Sequence, residues 1–147
     1  MAHLRRACCT LAVVAAAVLV SAHAIAAQRD ADDKKPSLSL KATPPLGFSP
    51  LRVRVAVEVR GGRDDDGDFY CAATEWDWGD GTVSESSSDC EPYEAGKSVM
   101  KRFFSGEHVF RQGGQHKIVF RLKQKNKVVA AATANIQVRS GSDEYDR

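Results

Sequence analysis

Residues 74–82 read TEWDWGDGT and place both tryptophans of the chain, Trp76 and Trp78, directly before a Gly-Asp-Gly turn. Residues two apart in an extended strand point to the same face, so the two indoles share one face while Glu75 and Asp77 share the other. An ionised carboxylate is costly to bury, so the tryptophans are predicted to face the core. The stretch is therefore predicted to be a strand end that runs into a tight turn.

The residues of this turn suit a sharp reversal of the chain. Gly79 and Gly81 can adopt backbone conformations that most residues resist, and Asp80 between them can accept hydrogen bonds from nearby backbone N–H groups. Thr82 and Val83 are predicted to begin the returning strand. The motif is thus a turn fixed above two large aromatic anchors.

The surrounding sequence alternates between apolar and polar residues with a period of two, which predicts strands. The clearest strands are residues 51–60, 116–123 and 128–138, with Lys125-Asn126 as a hairpin turn between the last two. A strand over 38–42 precedes a proline-containing break at 44–47 that lets the chain cross to the opposite sheet. Segments at 98–104 and 108–110 add one or two strands. About seven antiparallel strands over 38–139 predict an all-β, immunoglobulin-like sandwich.

The N-terminus is predicted to be a signal peptide over residues 1–26. Arg5 and Arg6 form a basic start, residues 11–20 are almost wholly apolar, and Ala24-Ile25-Ala26 offers a cleavage site. A membrane anchor is the alternative, but the apolar run is shorter than the ~20 residues that span a bilayer. We therefore expect a periplasmic or extracellular protein without stable membrane insertion, with a disordered polar leader at 27–37 and a polar tail at 140–147.

Charge argues against nucleic acid as a partner. The chain holds 21 Lys and Arg against 19 Asp and Glu, and removal of Arg5 and Arg6 leaves 19 against 19. Binding to phosphate backbones depends on clustered positive charge, which a mature chain of zero net charge lacks.

Two of the four cysteines, Cys8 and Cys9, lie in the predicted signal peptide and are removed with it. Cys71 and Cys90 remain, and an exported chain with two cysteines is predicted to pair them in a disulfide. Two thiols alone cannot form a tetrahedral zinc site, and no Cys-x-x-Cys redox motif occurs.

The WDWGDG stretch resembles the Trp-Asp-Phe-Gly-Asp-Gly signature of the polycystic kidney disease (PKD) domain. The segment 47–55 is similar to that family's Gly-x-x-Pro-Leu-x-Val-x-Phe strand, residues 66–69 to its acidic connection, and 108–110 to its His-x-Tyr motif. Gly114, His116 and Ile118 follow at the spacing of the family's Gly-x-Tyr-x-Val motif, with His116 in place of the Tyr. The stretch between Gly81 and His108 is longer than in the family. The structural motif thus comprises Trp76, Asp77, Trp78, Gly79, Asp80, Gly81, His108, Phe110 and Gly114.

The resemblance implies an immunoglobulin-like sandwich in which His108 packs beside the turn and hydrogen-bonds the backbone. PKD-type sandwiches usually sit in larger surface proteins or secreted enzymes and mediate protein or polysaccharide contacts. His116 is expected at a half-buried strand position. The two histidines make only a weak metal signal without a closely spaced third ligand.

Asp64, Asp66 and Asp68 are weak candidates for calcium ligands, because hard cations take several carboxylate oxygens. The EF-hand spacing fails, and a solvated connection between sheets is the favoured interpretation. No catalytic residue and no cofactor is predicted, since the chain has neither a nucleophile elbow nor a phosphate-binding glycine loop.

Exposed aromatic side chains could bind a sugar or a protein partner. The candidates are Phe69, Tyr70, Tyr93, Phe103 and Phe104. The alternative is that several of them only cover the longer stretch between Gly81 and His108. The sequence thus predicts an exported, non-catalytic module that contacts an unknown protein or polysaccharide, or serves as a spacer. The alternative is a small metal-dependent or polysaccharide-active secreted enzyme or accessory protein.

Overall fold

Alternating side chains build eight β-strands in the computed structural model, which describes residues 35–141. No residue in that range is helical, so the all-β prediction is confirmed for the part of the chain that the structure describes. Nor does that part hold a helix of the length and hydropathy that a bilayer crossing requires. The strands are β1 (Ser37–Thr43), β2 (Leu46–Phe48), β3 (Leu51–Arg60), β4 (Ala73–Asp77), β5 (Val83–Ser86), β6 (Phe103–Phe110), β7 (Gly114–Gln124) and β8 (Lys127–Arg139).

The strands form two sheets with the orders β1-β3-β6 and β2-β8-β7-β4-β5. All neighbours are antiparallel except β2 and β8, which run parallel. In immunoglobulin terms the first sheet contains strands A, B and E, and the second contains G, F, C and C′ with a short A′ strand. The predicted immunoglobulin-like sandwich is confirmed by this order of strands.

The chain crosses between the sheets at the predicted break, but with one more strand than expected. After β1 it passes Pro44 and Pro45 and joins the other sheet as β2, whose Leu46–Phe48 backbone pairs with the end of β8. Three residues are too few for periodicity to reveal, so the sequence interpretation missed this strand.

The start of the sandwich also differs slightly from prediction. Ser37, assigned to the polar leader, opens β1, and Pro36 is buried against Gly62. The predicted signal peptide, the leader up to residue 34 and the tail from residue 142 lie outside the described residues, so these assignments stay predictions.

Strand β6 corrects the prediction of separate segments at 98–104 and 108–110. One continuous strand, Phe103–Phe110, pairs with β3 without a register shift. In the sequence, Gly106 in the middle of β6 suggests the end of a strand, because glycine weakens a strand interior. The structure gives it a different role: a Cβ there would lie 3.3 Å from an indole carbon of Trp78. Glycine thus marks a close approach of the sheet to the tryptophans.

The core is built by the inward faces of the central strands. Val53, Val55, Val57 and Val59 of β3 are all at most 2% exposed, and so are Ile118, Phe120 and Leu122 of β7. The period of two predicted for both strands is therefore confirmed, with the apolar residues of each strand facing the core. The turn between β7 and β8 is Lys125-Asn126, as predicted, with Lys125 at φ 56°.

Residues 87–102, hereafter the insert, connect β5 to β6 across one end of the sandwich. A disulfide joins Cys90 of the insert to Cys71 beside β4, as predicted. Tyr70 Oη donates to the Glu91 carbonyl, and Tyr93 Oη donates to the Asp65 carbonyl. Met100, 3% exposed, supplies the insert's one residue of the buried core among the described residues. The insert is thus held by covalent and polar contacts more than by apolar burial.

We expect the double substitution Cys71→Ala and Cys90→Ala to lower the free energy of unfolding by about 3 kcal/mol, because a disulfide that closes a loop of this size restricts the unfolded chain. Guanidinium unfolding followed by circular dichroism measures the change. Reduction of the unmodified chain should cause the same loss, and a reductant should leave the double variant unaffected. Equal stability of the oxidised chain and the variant would contradict the proposed role of the disulfide.

Candidate functional site

The two tryptophans stack inside the sandwich beneath the turn. Trp76 is 7% exposed and Trp78 2%, and their ring centroids lie 5.7 Å apart with 10° between the planes. Trp76 contacts Phe120, and Trp78 stacks on His108 at 4.7 Å. The prediction that both indoles face the core is confirmed, and the pair belongs to the scaffold instead of an exposed sugar platform.

The turn after Trp78 is closed by the hydrogen bonds that its aspartates accept. Asp80 Oδ1 accepts from the Thr82 N–H at 3.0 Å and the Thr82 hydroxyl at 2.6 Å, and Asp77 Oδ1 accepts from the Gly79 N–H at 3.1 Å. Burial raises the pKa of Asp80, but hydrogen bonds from Thr82 and His108 outweigh it and hold the pKa below its usual value.

His108 makes a different contact with the turn from the one that the resemblance implied, and His116 contacts the turn as well. His108 Nε2 donates to the Asp80 carboxylate at 2.6 Å, a side-chain contact and not the expected contact to the backbone. His116 instead donates from Nδ1 to the Gly79 carbonyl at 3.2 Å. His116 is buried at 9% exposure, deeper than the half-buried position expected. Both rings therefore hold the turn against the sheets, one through a side chain and one through the backbone.

The outer face of the second sheet carries a compact group of charges. Glu75 contacts Lys123, and it accepts from Arg121 at 2.6 Å. Lys123 also reaches Glu85 on β5. The Lys123 ammonium, followed by the Arg121 guanidinium, lowers the pKa of Glu75 from 4.5 to about 2. These contacts tie β4, β5 and β7 together on the side opposite the tryptophans.

A cavity of about 330 Å³ opens between the free edges of β5 and β6, and we name it the edge groove. Its floor is aromatic, its rim carries hydroxyl groups, and the disulfide closes one end. The lining residues are Phe69, Tyr70, Cys71, Ala72, Thr74, Trp76, Ser86, Ser88, Cys90, Val99, Lys101, Phe103, Phe104 and Ser105.

The edge groove brings together most of the aromatic residues predicted to bind a partner. Tyr70, Phe103 and Phe104 line it, and the Tyr93 ring lies 5.6 Å from Tyr70 beyond its rim. Phe69 also borders the groove, but it is only 3% exposed and belongs to the buried core, so the prediction that it is an exposed aromatic residue is wrong. Phe103 is the most open of the set at 68% exposure.

Sequence reasoning missed two contributors to the groove. Val99 is 65% exposed on its wall, and the Lys101 ammonium lies 5.2 Å from the Phe104 ring centroid. A lone valine in the polar insert was the available signal for the first. Lys101 carried no signal, because its position beside the ring depends on where the insert rejoins β6.

The acidic residues considered for calcium engage other groups. Asp64 binds the Arg102 guanidinium at 2.6 Å, and Asp66 Oδ1 accepts the Asp68 N–H at 3.0 Å. Within residues 35–141, no three His, Cys, Asp or Glu side chains converge as a group that could hold a metal ion. The Asp64–Asp68 segment is a hydrogen-bonded connection that anchors Arg102.

The strand order and the geometry of the WDWGDG turn define a PKD-like sandwich of the immunoglobulin type. No family model and no curated relative matches the chain. The structure is similar to the PKD domain of an M14-like peptidase from a Thermoplasmatales archaeon, with 13% identity, a TM-score of 0.48, and 71% of this chain and 96% of that chain covered.

Two further solved structures are similar. The CARDB domain of a Pyrococcus furiosus protein, solved with di-metal ions, has 15% identity and a TM-score of 0.49, covering 71% of this chain and 88% of that chain. A superoxide reductase from Ignicoccus hospitalis has 11% identity and a TM-score of 0.40, covering 70% and 80%.

Gly79 and Gly81 provide a matched pair of substitutions. Both have positive φ, but a Cβ on Gly79 would lie 2.6 Å from the Lys117 carbonyl oxygen, whereas a Cβ on Gly81 would meet nothing within 4 Å. We expect Gly79→Ala to lower the free energy of unfolding by about 3 kcal/mol and Gly81→Ala by about 1 kcal/mol. Urea unfolding measures both, and equal losses would contradict the close packing of the turn on β7.

Glu75 predicts a specific acid sensitivity. Its pKa is near 2 when folded and 4.5 when unfolded, so its contribution to stability is complete above pH 4.5 and lost as the pH falls towards 2. We expect Glu75→Gln to flatten the decline of unfolding free energy across this window. The matched control is Glu94→Gln, which removes an exposed ion pair with Lys97 and should leave the decline intact. An unchanged pH profile for Glu75→Gln would contradict the assignment.

Proposed function

We propose that the protein is an exported, non-catalytic β-sandwich module that contacts another protein through the edge groove. The observation that carries this proposal is the open groove itself, with Phe103 at 68% and Val99 at 65% exposure beside two unpaired strand edges. Exposed apolar side chains grouped on a concave surface are typical of interaction sites. The signal-like N-terminus and the disulfide support export.

The chemistry of the groove favours contact over reaction. Its polar lining residues include the hydroxyl-bearing Tyr70, Thr74, Ser86, Ser88 and Ser105 together with Lys101. Hydroxyls and backbone groups fix the orientation of a bound chain, while the aromatic floor supplies apolar contact area. The carboxylates that a metal-dependent enzyme would need make structural contacts instead, as Asp64 does with Arg102 and Asp80 does with Thr82.

A polysaccharide is the second candidate partner, favoured by one observation. The Phe103 ring at 68% exposure and the Tyr93 ring at 44% are open enough to stack on a sugar. A polysaccharide and a polypeptide need different hydrogen-bonding groups from the protein. A sugar needs many hydrogen-bonding side chains for its hydroxyls, whereas a polypeptide also uses exposed backbone groups.

We expect the double substitution Val99→Ala and Phe103→Ala to reduce capture of a protein partner about tenfold, since truncated apolar anchors at the centre of an interface carry much of the binding energy. Immobilised purified chain would be presented with the extracellular or periplasmic proteins of its host. Phe48→Ala is the matched control, because Phe48 is 61% exposed on β2 and is not among the groove residues.

The same variants would be applied to a glycan array, with chelator present and absent. Binding of glycans that the double variant loses would favour the polysaccharide, and binding lost in chelator would favour a metal-dependent protein. Equal capture by the double variant, the control variant and the unchanged chain would contradict a role for the edge groove.

A further inference from the structure

Among residues 35–141, the sandwich lacks one strand that its type of fold commonly contains. Immunoglobulin-like sandwiches of the constant type place strand D beside strand E, whereas the first sheet here ends at β6 within the described residues. The insert passes through this part of the chain without pairing to β6. The edge of β6 is therefore open where a fourth strand would lie.

The backbone of β6 presents a regular row of hydrogen-bonding groups at this edge. The Val59 N–H donates to the Arg102 carbonyl at 2.8 Å, so Val59 and Arg102 are a hydrogen-bonded pair. Along an antiparallel ladder, hydrogen-bonded pairs alternate with pairs whose backbone groups point away from each other. Phe104, Gly106 and His108 therefore direct their backbone groups to β3. The groups directed away from β3 belong to Phe103, Ser105, Glu107 and Val109.

In the second sheet, strand β5 is uncovered on the side of the sandwich where the edge of β6 is open. Every residue of β5 is exposed, including Ser84 and Ser86. Ser84 pairs with Trp76 and accepts a hydrogen bond from the Trp78 indole, so its side chain lies on the inner face of the sheet. An exposed inner face means that nothing in the first sheet covers β5. The vacant position thus has a free ladder on one side and an uncovered strand beneath it.

We propose that an extended segment of another protein occupies this position as an added strand, hydrogen-bonded to the outer edge of β6, with alternate apolar side chains directed into the edge groove. This inference rests on the proposed function and specifies its partner. Strand addition is a known mode of peptide recognition in which the backbone supplies affinity and alternate side chains supply selectivity. The volume of about 330 Å³ between Ser86 and Ser105 accommodates those inward side chains.

The local chemistry specifies the segment further. On the outer face, Glu107 is already paired with Arg52 and Arg54, so a polar residue is accommodated opposite it, and Phe103 favours an apolar residue. The inward positions of β6 itself are Phe104, Gly106 and His108, so a second copy paired through β6 offers glycine and histidine where the groove requires apolar side chains. The polar stretches 28–34 and 142–147 lack the apolar alternation that the groove requires.

A designed peptide tests the inference directly. The probe is acetyl-Thr-Val-Lys-Val-Thr-Val-Val-amide, in which the lysine supplies solubility on the outer face. When it pairs antiparallel to β6 with the lysine opposite Glu107, the valines at peptide positions 2, 4 and 6 point inward. We expect it to bind the purified full chain and to slow amide hydrogen exchange of Phe103, Ser105, Glu107 and Val109 about tenfold, as measured by NMR. Exchange of Gly106, already bonded to β3, should stay unchanged.

Two N-methylated peptides provide the matched control. Methylation of the second threonine, opposite Ser105, removes an N–H that β6 accepts and should abolish binding. Methylation of the central valine, opposite Gly106, removes an N–H directed away from β6 and should leave the affinity within about twofold. Absence of peptide binding, equal effects of the two methyl groups, or protection elsewhere than the edge of β6 would overturn the inference.

Failure of strand addition is distinguishable from failure of the proposed function. If Val99→Ala with Phe103→Ala reduces partner capture while the edge amides stay unprotected by peptide, the groove binds side chains without adding a strand. If the double variant captures partners normally, the groove itself is not the binding surface.

Discussion

The stack of Trp76 on Trp78 is the contact on which the rest of the sandwich depends. The two indoles fill the space between the sheets and extend through ring contacts to Phe120 on one side and His108 on the other. Sheets in a sandwich lie about 10 Å apart, a gap that large aromatic side chains fill well. Because indoles from one sheet must meet the backbone of the other, β6 carries glycine at position 106, where any side chain would press on them.

The turn that follows the tryptophans is shaped by the same requirement. Trp78 lies beyond the last residue of β4, so its position depends on the turn and not on the strand ladder alone. The Asp80 carboxylate holds the turn by accepting from Thr82 and from His108, which itself stacks on Trp78. Gly79 lets the backbone approach β7, where His116 donates to its carbonyl. The polar turn and the apolar stack therefore stabilise each other.

The sequence was most informative where one period or one motif decides the structure. The valines of β3 and the inward residues of β7 alternate strictly, and WDWGDG constrains its own turn, so these elements could be predicted. Three features of the structure could not be predicted from the sequence. A strand as short as β2 has no measurable period, the partner of His108 depends on the three-dimensional approach of β6 to the turn, and Gly106 acts through a contact distant in sequence. The groove was partly predictable because its aromatic residues could be picked out in the sequence. Phe69 shows the limit of this approach, because the residue type alone does not tell a buried ring from an exposed one.

The insert and the missing strand are two aspects of one arrangement. A chain segment that paired with β6 would be held by backbone hydrogen bonds and would close the sandwich, whereas residues 87–102 cross its end and are held by the Cys71–Cys90 disulfide and tyrosine hydrogen bonds. Long unpaired strand edges are a liability that proteins usually block with proline, bulges or charge. Strand β6 pairs with β3 without a register shift and contains no proline, and its one carboxylate, Glu107, is paired with Arg52 and Arg54 of β3. Among the described residues this edge is open beside a groove that contains the disulfide, and this arrangement is the basis of the proposed strand addition.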